Sequence, residues 1–182
     1  MNLIAIQYFP TPYGELILGS FDDRLCLCDW RYRQAREAVD NRLKKSLNAD
    51  YIPQKTEVIE QAMRELDEYF AGTRHSFDIP LLLVGSDFQK SVWEALIQVA
   101  YGQTETYLGL SRILGNELAI RAVAAANGAN AISIVVPCHR IIGSKGELIG
   151  YAGGLAAKQK LLTLENPTFG KSTSAQMALD FG

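Results

Sequence analysis

The 182-residue sequence has no long hydrophobic run. No window approaches the ~18 uninterrupted apolar residues that a membrane-spanning helix needs. The N-terminus also has no basic start, no long apolar core and no small-residue cleavage site, the features of a secretory signal. We therefore expect a cytoplasmic protein that makes no contact with a membrane. Apolar residues make up 48% of the chain and charged residues 21%, as in ordinary globular domains.

Cysteine and histidine are scarce, with three and two residues respectively. An odd number of cysteines without a paired CxxC sequence gives no disulfide framework and no zinc knuckle. Cys26 and Cys28 are two positions apart in a predicted strand, so we expect both side chains on one face, packed in the core. No histidine lies near them in the sequence. We therefore predict no bound metal and no cofactor.

The chain is also not strongly charged, since its formal net charge is −2. Residues 88–165 carry seven basic and five acidic side chains, a net charge of +2, which leaves −4 for the rest. This asymmetry permits contact with nucleic acid through one half of the chain, and it predicts only modest non-specific affinity.

The first half has the pattern of a small α+β domain. Alternating apolar residues predict three strands over residues 3–9, 15–19 and 25–30, joined by short turns as in an antiparallel meander. Helical spacing follows over residues 33–47 and 56–70. The methionine and aromatic residues on one stripe of the second helix indicate core packing.

The second half is predicted to be mainly helical. We assign residues 1–85 to the α+β domain, 86–166 to the helical domain and 167–182 to a flexible tail. Two short helices over residues 107–114 and 118–126 flank a turn that contains glycine, which is the spacing of a helix-turn-helix. Alone this pattern is weak, because such pairs are common in helical bundles.

The second helix of this pair has few large side chains. Its surface is formed by five alanines: Ala119, Ala122, Ala124, Ala125 and Ala126. Such a smooth surface can approach a nucleic-acid groove closely, but small residues also allow close packing against another helix. Arg121 is the one long side chain that projects from the start of this surface.

A cysteine and a histidine are adjacent in Val136-Pro137-Cys138-His139-Arg140. We interpret Cys138 as a nucleophile, which requires a nearby cation, imidazole or helix N-terminus to lower the thiol pKa from about 8.5. His139 and the positive charge of Arg140 could supply that. The alternative is a small buried hydrophobic residue beside a hydrogen-bonded histidine.

The sequence around this motif closely resembles the O6-alkylguanine-DNA alkyltransferase family, also called methylated-DNA–protein-cysteine methyltransferases. The likeness covers about residues 88–165, with the matching segments in the family's order: 88–93, 121–123, 127–130, 134–143, 146–155 and 161–165. A run of this length in this order is a specific signal. It implies an α+β fold whose helical part combines a winged-helix-like helix-turn-helix with the Pro-Cys-His-Arg active-site turn.

The resemblance implies a DNA repair activity. The alkyl group on O6 of guanine in DNA, with O4-alkylthymine as a second candidate substrate, would be transferred to Cys138. The product is a thioether that ordinary cellular reductants do not reverse, so each molecule would act once. The implied partner is double-stranded DNA that carries the lesion, and a monomer is the expected state.

The resemblance also assigns roles to residues. Cys138, a water, His139 and Glu165 would form the activating chain. Tyr107 would assist base rotation and donate a hydrogen bond to the base, and Asn130 would position the cysteine turn. The implied DNA-binding residues are Arg121, Tyr107, Ala119, Ala122 and Ala125. The implied pocket residues are Cys138, Ile141, Tyr151, Ala152, Gly153 and Ser133.

Several residues depart from the family pattern. Ala131 stands where proline is usual, and Ser133 replaces a small or proline residue expected to line the pocket. Ala124 stands where glycine is common, Arg112 occupies a normally small position, and Ala152 has no hydroxyl to place near O6. None of these changes removes a catalytic group. They bear on the size of the alkyl group accepted and on the tightness of DNA binding.

The end of the chain carries a separate motif. Gln176, Met177, Leu179 and Phe181 resemble the short peptides by which bacterial proteins bind the replication sliding clamp. A flexible segment that ends in apolar anchors is suited to bind in a groove.

Three other functions compete with alkyl transfer. An alkyltransferase-like protein would bind lesions without repairing them, but such proteins lack the reactive cysteine. A transcriptional regulator could use the helix-turn-helix, and it would bind one DNA sequence selectively. A cysteine hydrolase or acyltransferase could use Cys138 and His139, and it would turn over without permanent labelling of the protein.

Overall fold

The computed structural model describes residues 1–171. The first half contains strands β1 (Asn2–Thr11), β2 (Gly14–Phe21) and β3 (Arg24–Trp30), then α1 (Arg36–Leu47), β4 (Ala49–Pro53) and α2 (Glu57–Phe70). The second half contains α3 (Asp87–Ile97), β5 (Glu105–Thr106), α4 (Tyr107–Ile113), α5 (Ile120–Gly128), β6 (Ile141–Ile142) and α6 (Leu155–Glu165). Two 3₁₀ turns lie at Glu117–Ala119 and Cys138–Arg140. The predicted order, a sheet with helices followed by a mainly helical half, is confirmed.

The N-terminal sheet contains the predicted antiparallel meander and one further strand. The order is β3-β2-β1-β4, and β4 pairs parallel to β1 after the crossover through α1. Asp22 and Asp23 form the two-residue loop between β2 and β3, and both have positive φ, as a type I′ hairpin turn requires. The sequence pattern missed β4 because this short edge strand has no alternation and ends at Pro53.

The prediction that Cys26 and Cys28 share a face is wrong. Gly19 pairs with Leu27 and Ser20 pairs with Leu25, so Cys26 is the extra residue of a β-bulge. The bulge interrupts the alternation of side chains. Both thiols are buried, but Cys26 packs in the apolar cluster that contains α1 and Cys28 packs in the cluster on the other side of the sheet.

Helix ends in the structure agree with ordinary capping chemistry. The Thr56 side chain accepts a hydrogen bond from the Ile59 amide at the start of α2, and Ser86 and Gln89 form a capping box at the start of α3. In α3, Val92 and Leu96 are buried, whereas Phe88 in the first turn is 41% exposed. Trp93 is buried, and its Nε1 donates to the Ala126 carbonyl of α5 at 2.8 Å.

One apolar cluster joins the two halves of the chain. Leu18 and Trp30 of the sheet share it with Trp93 and Val136 of the second half. Backbone hydrogen bonds also cross between the halves, because the Cys28 amide donates to Ala131 and the Ser133 amide donates to Cys28. A domain division at residue 85 stays a prediction, since the core is continuous across it.

A buried cluster of charges strengthens the same junction. Asp29 accepts hydrogen bonds from Arg33 and Arg36 at 3.0 and 2.9 Å, and its side chain is fully buried. Arg33 also donates to the carbonyls of Gly128 and Asn130 at the end of α5. Cations at a helix C-terminus complement its unpaired carbonyls and its dipole. The N-terminal half thus binds the end of the second helix of the helix-turn-helix.

Two sequence predictions concern membrane-spanning helices and the motif near the end of the chain. Within residues 1–171, no helix combines the length and apolar character needed to cross a membrane. The clamp-binding motif at Gln176, Met177, Leu179 and Phe181 lies outside the described residues.

Candidate active site

Cys138 opens a 3₁₀ turn directly after Pro137 and is only 4% exposed. Asn130 holds the segment before this turn, since its Nδ2 donates to the Val136 carbonyl at 2.9 Å and its Oδ1 accepts from the Ile132 amide at 2.9 Å. Within this segment Ile134 has a φ of +72°, an unfavourable conformation for a β-branched residue. The Asn130 side chain therefore stabilises a tight backbone path that places the thiol.

His139 and Glu165 meet in the interior, next to the cysteine. The distance from His139 Nε2 to Glu165 Oε1 is 2.7 Å, and both side chains are buried. Glu165 Oε1 also accepts hydrogen bonds from the Tyr69 hydroxyl at 2.8 Å and from Arg140 Nη2 at 2.9 Å. Glu165 Oε2 accepts from Arg140 Nε at 2.9 Å. Arg140, expected to add positive potential near the thiol, is thus paired with a carboxylate.

The charge on Glu165 fixes the protonation of His139. Burial alone would raise the pKa of Glu165, but the hydrogen bonds and charges of His139 and Arg140 outweigh it and hold that pKa at about 2. An ionised carboxylate only accepts hydrogen bonds, so Nε2 carries the proton. Burial lowers the pKa of His139 below its usual value, against the opposing effect of Glu165. At neutral pH the imidazole is therefore neutral, with Nδ1 as its basic nitrogen.

Nδ1 of His139 has no hydrogen-bond partner among the residues that the structure describes. A buried ring nitrogen without a protein partner is available to accept a proton, directly or through a water. The His139 side chain therefore has the properties of a general base that is oriented by Glu165.

The expected lowering of the Cys138 pKa is not found. Burial raises the pKa of this thiol above its ordinary value, although Asn130, Lys158 and Arg33 act in the opposite direction. A buried site without strong pairing disfavours the thiolate. At rest Cys138 is a protonated thiol, and a base must remove its proton during the reaction.

Lys158 lies beside the candidate site and was not among the residues predicted from the sequence. It is fully buried, and its Nζ donates to the carbonyls of Ile141, Ile149 and Gly150, at 2.5, 3.3 and 3.3 Å. Burial lowers the pKa of this amine to about 8, against the opposing effect of Cys138. A lysine in the buried stripe of α6, one residue after Ala157 and three before Leu161, is the signal that could have identified it.

A cavity of about 1020 Å³ lies between the two halves and contains Cys138 in its wall. The second half contributes Tyr107, Arg121, Ala124, Asn130 and the loop from Ile149 to Gly154. Tyr107 is half-buried, and its hydroxyl donates to the Ile149 carbonyl at 3.0 Å. Burial raises the pKa of Tyr107, and burial raises the pKa of Tyr151 still further, so both phenols keep their protons at neutral pH.

The cavity wall differs from the sequence prediction at two positions. Ser133 is fully buried outside this wall, and its Oγ donates to Asp29 Oδ1 at 3.1 Å. This corrects its assignment to the pocket, because the hydroxyl is satisfied by the charge cluster of the first half. The Ile141 side chain is also buried outside the wall.

Four of the five predicted DNA-binding residues lie on α5 and the turn before it, whereas Tyr107 lies at the start of α4 in the cavity wall. Arg121, Ala122 and Ala125 are exposed, whereas Ala119 is half-buried. Arg121 forms no hydrogen bond or ion pair within residues 1–171, and it borders the cavity that contains Cys138. A long cation therefore projects from a smooth helix at the mouth of the cavity.

Two family models match the two halves of the chain. The model described as "6-O-methylguanine DNA methyltransferase, ribonuclease-like domain" covers residues 4–83, and the one described as "6-O-methylguanine DNA methyltransferase, DNA binding domain" covers residues 87–167. The chain belongs to the methylated-DNA–protein-cysteine methyltransferase family.

Similar proteins with this family name occur in two archaea. The relative from Methanosarcina barkeri is 50% identical over 155 residues, which are 85% of this chain and 92% of that protein. The relative from Methanosarcina acetivorans is 41% identical over 157 residues, which are 86% of this chain and 95% of that protein.

Solved structures of another methyltransferase in this family have the same fold. The crystal structure of Mycobacterium tuberculosis O6-methylguanine methyltransferase is 35% identical, with a TM-score of 0.76 and coverage of 90% of this chain and 93% of that chain. The structure of the M. tuberculosis protein in complex with DNA has a TM-score of 0.77 at the same identity and coverage.

The raised thiol pKa of this family member predicts how Cys138 reacts with iodoacetamide. The rate of alkylation follows the thiolate fraction, so we expect it to keep rising through and beyond about pH 8.5, the ordinary pKa of a thiol. Mass spectrometry of the labelled peptide measures the rate, and a Cys138→Ala variant identifies the site. Cys26 and Cys28, which are 1% and 0% exposed, should remain unlabelled in the folded protein. A rate that levels off below pH 8 would show a preformed thiolate.

Proposed function

We propose that this chain repairs DNA by transferring the alkyl group of O6-alkylguanine to Cys138. The observation that carries the proposal is the arrangement of one cavity in a member of this family. Cys138 lies in the cavity wall, the next residue in the chain, His139, is hydrogen-bonded to the buried Glu165 carboxylate, and the unpaired Arg121 projects from a smooth helix at the cavity mouth. O4-alkylthymine is a second substrate that the same chemistry would accept.

The substrate base has to leave the duplex, because O6 of guanine is inaccessible to a buried thiol while the base is stacked. Arg121 would fill the vacated position in the stack. The exposed alanines on the same helix, Ala122 and Ala125, allow close approach to the minor groove, with Ala119 at its edge. Contacts of this kind depend little on base sequence, as general repair requires.

Tyr107 would guide the base and then bind it. Its hydroxyl is occupied by the Ile149 carbonyl and would exchange this partner for the base. The carbonyls of Cys138 and Ile141 would accept from the guanine amino group. The Ile141 carbonyl already accepts from Lys158, and its second lone pair remains for this contact. The loop with Tyr151, Ala152 and Gly153 would close over the base.

The transfer forms one bond and breaks one. His139 accepts the thiol proton at Nδ1, through a water, and the sulfur attacks the alkyl carbon. The S–C bond forms as the C–O6 bond breaks, and the electron pair of that bond remains on the guanine. Hydrogen bonds from Tyr107 and the Ala152 amide would stabilise the departing base. Guanine then takes up one proton, which balances the proton that the thiol lost.

The sequence alone suggests a location, an oligomeric state and a further partner. The cytoplasm is the proposed location, and a monomer is the proposed state. The replication sliding clamp is a proposed partner through residues 176–181, and a synthetic tail peptide that fails to bind purified clamp would rule this contact out.

The proposal predicts a permanent change in protein mass. After incubation with a duplex that carries O6-methylguanine, we expect one added methyl group per molecule, located on Cys138, because the thioether is stable. Intact-protein and peptide mass spectrometry measure this, and a Cys138→Ala variant should gain no methyl group. Lesion binding without a mass change would support a non-catalytic lesion-binding protein. Multiple turnovers without labelling would support a hydrolase, and selective binding of one undamaged sequence would support a transcriptional regulator.

Arg121 should affect DNA handling and not the chemistry. We expect Arg121→Ala to lower the rate with a duplex substrate about tenfold, the effect of losing roughly 1.4 kcal/mol of interaction. The rate with the free base O6-methylguanine, measured by methyl transfer to the protein, should be unchanged. Arg64→Ala is the matched control, because Arg64 is an exposed arginine of α2 that does not line the cavity, and it forms no hydrogen bond or ion pair with other described residues. Equal losses with duplex and free base would contradict this role.

A further inference from the structure

Trp30, the last residue of β3, reaches the active-site cavity from the N-terminal sheet. It is 4% exposed, and it lines the same cavity as Cys138. Its Nε1 donates to the hydroxyl of Tyr151 at 3.1 Å, and the two rings meet edge to face, with centroids 6.0 Å apart. An indole of the first half therefore contacts the loop that is proposed to close over the base.

Glycines hold the indole on two sides. A Cβ atom added at Gly153 would lie 2.5 Å from Cε2 of Trp30, and one added at Gly14 would lie 3.1 Å from Cζ3. Only the absence of a side chain at Gly153 allows such close approach of the backbone, and a side chain at Gly14 would be tightly packed against the indole. In a closely packed environment, an indole confined in this way cannot move aside without shifting backbone.

The two tryptophans of the chain have different surroundings. The indole N–H of Trp93 is satisfied by a backbone carbonyl inside the core, and Trp93 does not line the cavity. The indole N–H of Trp30 is satisfied by the side chain of a cavity residue. Trp30 thus supports the shape of the cavity as well as the core.

We propose that Trp30 sets the largest alkyl group that Cys138 can accept. This inference rests on the proposed function. The reacting carbon has to reach the Cys138 sulfur while Tyr107 and the amide of Ala152 hold the base. Any further atoms of the alkyl group then extend toward the wall formed by Tyr151, Gly153 and Trp30. Methyl and other small groups fit in front of the indole, and a benzyl group meets it.

The neighbouring residues of the first half are less suited to this role. Tyr32 also lines the cavity but is 78% exposed, so it lies at the mouth. Tyr13 packs edge to face against Phe70 of α2, with ring centroids 5.3 Å apart. Glu15 is paired with Arg31 at 3.0 Å. Among these residues, the Trp30 indole is therefore the one suited to limit the size of the alkyl group.

The test compares two lesions placed in turn in the same duplex sequence, so that effects of a variant on DNA binding cancel in the ratio of the two rates. Rates of transfer are measured with O6-methylguanine and with O6-benzylguanine at the same position. We expect Trp30→Leu to raise the benzyl-to-methyl rate ratio about tenfold or more, the usual effect of space for a few carbon atoms in an apolar pocket. Trp30→Phe should raise the ratio less, about threefold, because a phenyl ring fills most of the same space.

Trp93→Phe is the matched control. It removes an indole and its hydrogen bond from the core, so it should lower the melting temperature while the rate ratio stays at the parental value. An unchanged ratio in both Trp30 variants, with methyl transfer retained, would overturn the size-limiting role. If Trp30→Leu does not fold, an unchanged ratio in Trp30→Phe is decisive. Absence of methyl transfer in the parental protein would instead overturn the proposed function, and with it this inference.

Discussion

The candidate active site depends on the buried carboxylate of Glu165. It accepts hydrogen bonds from Tyr69 of α2, from His139 and Arg140 of the cysteine turn, and it lies at the end of α6. A carboxylate is stable in the interior only when it is paired and its hydrogen-bonding capacity is satisfied. The same bonds that satisfy Glu165 bring three segments together and fix the imidazole tautomer. The hydrogen bonds that stabilise the buried Glu165 carboxylate therefore also orient the His139 imidazole, the candidate general base.

The thiol itself is kept in its unreactive form. Burial disfavours the thiolate more than the nearby positive charges favour it, so the resting group is a protonated thiol. Such a group reacts slowly with passing electrophiles and oxidants. If Cys138 reacts only once, as proposed, the protonated state would protect it until a nucleobase is bound and the proton can pass to His139.

The N-terminal half contributes directly to the site. The end of β3 carries Asp29, which organises Arg33 and Arg36 and also binds Ser133, and Trp30, which forms part of the cavity wall. Arg33 binds the carbonyl of Asn130, whose side chain holds the cysteine turn. The sheet thus supports both the position of the nucleophile and the shape of the cavity. Loss of either contact would change the site without altering any residue of the Pro-Cys-His-Arg motif.

The sequence by itself determined the succession of a sheet with helices and a mainly helical half, the adjacent cysteine and histidine, and the smooth helix with Arg121. These features are local, since periodicity, capping and motif order are properties of neighbouring residues. The family likeness also pointed to Glu165 and Asn130, and the structure places both beside the cysteine turn.

Only the tertiary structure decided the features that depend on distant residues. The bulge at Cys26, the parallel pairing of β4 and the placement of Ser133 against Asp29 depend on long-range register. The protonation state of Cys138 depends on burial, which no local pattern reveals. The position of Trp30 in the cavity wall and the partners of Lys158 in the loop beside it became visible only when the fold brought these segments together. The physical reason is that a site between two halves of a chain is formed by residues far apart in the sequence, and local sequence patterns do not predict which of them come into contact.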